Sequence, residues 1–88
     1  MKVLIDKSFN RDVKKIESWK IKETIAVIIE EVREAVSIKE IAQCKKLRGS
    51  KNAFRIRTGN YRIGFVYENE TVIFIRFLHR GKIYSYFP

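Results

Sequence analysis

Between Ala53 and Leu78 the chain alternates apolar and basic side chains with the two-residue period of a pleated strand. No other feature constrains the fold as tightly. Phe54 and Ile56 stand against Arg55 and Arg57; Tyr61, Ile63 and Phe65 against Arg62, Gly64 and Val66; Ile73, Ile75 and Phe77 against Arg76, Leu78 and Arg80. Gly59-Asn60 and Asn69-Glu70 separate the three runs, and the first pair has the chemistry of a tight hairpin turn. The expectation is a sheet with one oily face for helices to cover. The other face is lined by Arg55, Arg57, Arg62, Arg76 and Arg80, as a surface that holds something anionic would be. Gly64 removes a side chain from the middle of that face and leaves room for a ligand.

The preceding residues supply the rest of such a fold. Lys2–Asp6 reads as a short strand. Ser8 is placed to cap a helix whose apolar face is Phe9, Val13 and Ile16. The chain turns near Trp19, and a longer helix runs from about Lys20 to Val36 on the stripe Ile21, Ile25, Ile28, Val32 and Ala35. Glu30, Glu31 and Glu34 form its solvated side. Ser37 with Glu40 has capping-box spacing for a short helical turn, and Lys45–Gly49 reads as another short strand. The order β-α-α-β-β-β-β predicts an α+β fold, a twisted antiparallel sheet with two helices packed on one face. With no repeat or linker, residues 1–88 read as a single domain.

Charge narrows the function. Nineteen basic side chains oppose ten acidic ones, a net +9 that favours nucleic acid, an acidic protein or an anionic membrane surface. Nine of the twelve basic residues before residue 51 are lysine, whereas five of the seven from residue 51 onward are arginine. Lysine on helices mainly solvates. Arginine, a rigid fork of donors, suits phosphate. The lone Cys44 cannot form an internal disulfide, and it reads as a small, partly buried residue. No signal peptide or membrane span is legible, so a cytoplasmic protein is expected. No metal-ligand spacing or glycine-rich phosphate loop occurs, so neither a metal nor a small-molecule cofactor is expected.

Three segments together resemble one family: Lys45–Gly49 (KKLRG), Phe54–Ile63 (FRIRTGNYRI) and Leu78–Tyr84 (LHRGKIY). In this order they are similar to the Leu-x-Gly element, the R-x-R-x-G-x-Y-R hairpin and the terminal H-R-x-x-x-Y of the RelE/ParE toxins of type II toxin–antitoxin systems. The likeness spans nearly the whole chain. It implies a RelE-like toxin domain over residues 1–88, monomeric within a complex with a cognate antitoxin protein. The RelE branch implies a metal-independent endoribonuclease that cleaves mRNA in the ribosomal A site and so inhibits translation. The ParE branch implies a DNA gyrase inhibitor acting by binding. An inactive module that binds RNA or a partner is the third alternative.

The RelE reading assigns roles by position. Arg55 and Arg57 match the paired basic residues of the hairpin, Arg62 the arginine beside them, Arg80 the arginine near the end of the last strand, and Tyr84 the terminal tyrosine that stacks on or orients the nucleotide. RNA cleavage through the 2′-hydroxyl needs charge on the pentacovalent phosphate and groups that move two protons. Arginine meets the first need and is a poor proton donor. His79 carries the one imidazole, the side chain suited to proton transfer near neutrality. Strand parity puts it beneath the sheet with Phe77, so it joins the site only if a bulge or strand end turns it; otherwise it serves a structural hydrogen bond.

Overall fold

The computed structural model describes residues 1–88 in the order β1 (Lys2–Ile5), α1 (Lys7–Lys14), α2 (Trp19–Glu34), one 3-10 turn (Ile38–Glu40), β2 (Cys44–Lys46), β3 (Ala53–Thr58), β4 (Tyr61–Glu68), β5 (Thr71–His79) and α3 (Ile83–Tyr86). Asp6, rather than Ser8, caps α1: its carboxylate accepts the Ser8 N–H at 3.1 Å and the Ser8 hydroxyl at 2.6 Å. The side-chain hydrogen bond from Ser8 is the main reason the Asp6 pKa falls below its ordinary value. Ser18 caps α2 by accepting the Ile21 N–H at 3.3 Å. The α2 stripe then turns Ile25 and Val32 into the core.

The strands lie in the order β1-β5-β4-β3-β2. From β2 to β5 the pairing is antiparallel, as expected, but β1 runs parallel to β5 over Thr71–Phe74. The sheet is therefore mixed. No hairpin links β1 to β5, so nothing imposes an antiparallel turn, and β1 takes the free edge of the last strand. Gly59 has φ +58°, and the Asn69-Glu70 turn has φ +50° and +57°, the left-handed pair of a type I′ hairpin.

Parity holds through β3 and β4: Phe54 lies opposite Phe65 and Ile56 opposite Ile63. In β5 it breaks. Gly64 pairs with Arg76 and Phe65 with Phe74, which leaves Ile75 as the extra residue of a β-bulge. Val72, Phe74 and Phe77 therefore face the helices, whereas Ile73 and Ile75, expected there, do not. The core joins Phe9, Ile25 and Val32 to Ile56, Ile63, Phe65, Val72, Phe74 and Phe77. The Phe9 ring sits 5.4 Å from Phe74 and meets Phe77 edge-on at 6.3 Å.

A second, smaller cluster occupies the opposite face. Ala53, Ile83 and Phe87 are buried there, with Leu47, Val66, Ile75 and Leu78 packed against them. The chain end thus folds back as α3 onto the face away from the two longer helices. The bulge also exposes the backbone of β5 beyond the end of β1, and α1 satisfies it. Asp6 N–H donates to Phe74 O at 2.9 Å, the Ser8 hydroxyl to Ile75 O at 2.6 Å, and Phe77 N–H to Asp12 Oδ2 at 2.9 Å.

Candidate RNA-binding face

The β3–β4 hairpin presents three arginines on the face away from α1 and α2. Arg57 is the cross-strand partner of Arg62, and Arg55 is the partner of Gly64. Gln43, held at φ +58° just before β2, orients two of them. Its carbonyl accepts from Arg55 Nη1 at 3.1 Å and its side-chain oxygen from Arg57 Nη2 at 2.7 Å. Arg62 Nη1 donates to Gly59 O at 3.0 Å and Tyr61 O at 2.9 Å. Arg80 follows directly, its N–H extending the ladder to Asn60 O at 2.8 Å.

The electrostatics of Arg62 report how close these groups lie. Desolvation, then the charges of Arg55, Arg57 and Arg80, lower its pKa, and Tyr84 acts in the opposite sense. None of Arg55, Arg57, Arg62 and Arg80 pairs with a carboxylate; the only ion pairs are Arg33–Glu30 and Arg76–Asp12. Four guanidinium groups gathered without counter-charge repel one another, which costs the fold stability and fits a surface held ready for an anion.

Arg76, the fifth arginine of the expected set, is taken out of it. Its Nε and Nη2 donate to the two oxygens of the buried Asp12 at 2.8 and 3.1 Å. These hydrogen bonds raise the Arg76 pKa above its ordinary value. The guanidinium then lies against the Tyr86 ring, 5.4 Å from its centroid. His79 stands apart too. It is the cross-strand partner of Tyr61, whose ring meets it edge-on at 5.9 Å and stacks on Phe77 at 4.8 Å, so it sits at the strand end on the helix side. Its Nδ1 accepts the Gly81 N–H at 3.2 Å.

Tyr84, 61% exposed, faces an open pocket of about 600 Å³ that Lys45, Lys46, Arg48, Ser50 and Arg55 also line. Arg55 and Tyr84 thus join this pocket to the hairpin arginines. From the sequence, Lys45, Lys46 and Arg48 entered only as part of the Lys45–Gly49 segment, with no role in the site assigned to them. Three cations within four residues, closed by a turn at Gly49 (φ +77°), were the available signal.

Chains of known kind share this fold. Residues 3–84 match the model of a family described as ParE toxin of type II toxin–antitoxin system, parDE. The chain belongs to this family. It is 45% identical to Toxin RelE3 of Methanocaldococcus jannaschii over an alignment of 89 positions that spans the whole of both chains. It is similar in structure to a chain of the RelB-RelE antitoxin–toxin complex of Methanococcus jannaschii, at TM-score 0.81 and 42% identity over 97% of this chain and 99% of that one. A chain of the RelBE2 toxin–antitoxin complex of Mycobacterium tuberculosis matches at TM-score 0.61 and 25% identity, over 90% and 96% of the two chains. The protein is accordingly a toxin of a type II toxin–antitoxin system, with the α+β fold of RelE-like toxins. No helix in it is long and apolar enough to cross a membrane.

Proposed function

We propose that this toxin is a single-domain, metal-independent endoribonuclease that acts in the cytoplasm on mRNA in the ribosomal A site and so inhibits translation. The observation that carries the reading is the group of four arginines without counter-charge, Arg55, Arg57, Arg62 and Arg80, with Tyr84 at its rim. Such a face binds a single strand through its phosphates and through stacking of a base on an aromatic ring. The 2′-oxygen attacks the adjacent phosphorus, the P–O5′ bond breaks, and the guanidiniums stabilise the added charge on the pentacovalent phosphate. The products are a 2′,3′-cyclic phosphate and a 5′-hydroxyl; one proton leaves the 2′-hydroxyl and one reaches O5′. Tyr84 stacks on the nucleotide beside the scissile bond. Lys45, Lys46 and Arg48 extend the basic track for flanking phosphates.

His79 lies on the other side of the sheet, and in this reading it holds the turn at Gly81 and does not move protons. His79→Ala is expected to retain cleavage. The partner is a cognate antitoxin. The relatives from Methanococcus jannaschii and Mycobacterium tuberculosis were solved as toxin–antitoxin complexes, and a net +9 suits an acidic covering segment.

Expression of Arg80→Ala with Tyr84→Ala tests the reading. The double variant should fold and lose toxicity; full toxicity in the folded variant would count against the nuclease. The name of the matching family favours a second reading, gyrase inhibition by binding, which predicts stalled replication with intact mRNA.

A further inference from the structure

Gly64 occupies the centre of a cross-strand row, with Arg55 opposite it on β3 and Arg76 opposite it on β5. The space its missing side chain leaves is not open to a ligand, as the sequence suggested. A Cβ placed there would fall 2.5 Å from Phe87 Cδ2, 2.7 Å from Cγ and 2.8 Å from Cε2. The Phe87 ring therefore fills a notch in the sheet that only glycine provides.

The packing around the notch fixes α3. Ile83 is fully buried and Phe87 is 3% exposed, and the Phe87 N–H closes the turn on Ile83 O at 2.8 Å. A helix of four residues has no stability of its own, so these two anchors set its orientation. Between them the same turn sends Tyr84 outward to the basic pocket beside Arg55. On its other flank, Tyr86 rests against Arg76, whose charge Asp12 already balances.

We propose that Gly64 and Phe87 are positioning residues for Tyr84, an aromatic plug in a glycine notch that holds the Tyr84 ring as a wall of the RNA site. The effect on rate rests on the nuclease reading above; the effect on the position of Tyr84 does not. A plug that merely stabilised the fold would lower stability without acting through Tyr84.

The test uses the full chain labelled with 3-fluorotyrosine, with the Tyr84 resonance assigned by Tyr84→Phe, alongside cleavage of mRNA on programmed ribosomes. Gly64→Ala is expected to shift or broaden the Tyr84 signal while leaving those of Tyr61 and Tyr67 in place. It should lower kcat by about 100-fold, the scale for losing one preorganised group, with little change in KM. Adding Tyr84→Ala to Gly64→Ala should cost nothing further. Should Gly64→Ala fail to fold, Phe87→Ala removes the plug without touching the sheet and is expected to act on Tyr84 in the same way. An unmoved Tyr84 signal, or losses from the two sites that multiply, would overturn the proposal. If Tyr84→Ala alone cleaves at the parental rate, the nuclease role of Tyr84 is wrong, and the fluorine signal still decides the plug.

Discussion

Asp12 shows how much one side chain can organise. Buried at 6% exposure, it accepts two hydrogen bonds from Arg76 and one from the Phe77 N–H that the bulge frees. Asp12→Ala strands both donors and is expected to lower stability by about 3 kcal/mol, measured by urea unfolding. Nothing local in the sequence announces this pair, because its partners are 64 residues apart. That is why Arg76 reads from the sequence as a member of the ligand face. By contrast, Arg55, Arg57 and Arg62 were legible as one group, since β3 and β4 keep strict alternation across a two-residue turn. Cys44 offers a pH test. Burial pushes its thiol up to about 11 from an ordinary 9.0. Between these values the unfolded chain has lost the proton that the folded chain keeps, so stability falls as pH rises. Cys44→Ala should lack that part of the decline when unfolding free energies are compared from pH 9.0 to 11.

Among the elements, the strands and the two longer helices follow from periodicity, and β3 (Ala53–Thr58) falls on the first of the alternating runs. What periodicity cannot convey is a bulge, which resets the count within β5, or a helix of one turn. α3 exists because Ile83 and Phe87 find cover on the sheet, a tertiary fact with no local signature. The position of β1 is likewise a matter of which edge remains free. The β4–β5 turn holds Glu70 at φ +57°, a conformation that costs a residue with a side chain. Glu70→Gly should therefore stabilise the protein by about 1 kcal/mol, read as a higher urea midpoint at unchanged slope.

For the molecule as a whole, charge is arranged by face. The helices carry half of the acids, and the outer side of the β3–β4 hairpin carries arginines with no acid to balance them. RNA affinity should fall with salt: if four phosphates are neutralised, the slope of log K against log salt is about −3, and Arg62→Ala lowers its magnitude. Family, fold class and the hairpin arginines of the basic face were readable from the chain. The reach of the site into Lys45, Lys46 and Arg48 was not, because it depends on β2 lying beside β3 with Tyr84 folded over from the chain end. The most direct measurement of the central claim maps mRNA 5′ ends by primer extension after induction of the parental toxin and of a folded Arg62→Ala, Arg80→Ala double variant. New ends inside translated coding sequences with the parental protein, absent with the variant, are the result predicted here. Growth arrest with intact mRNA, or the same new ends with the variant, would contradict it.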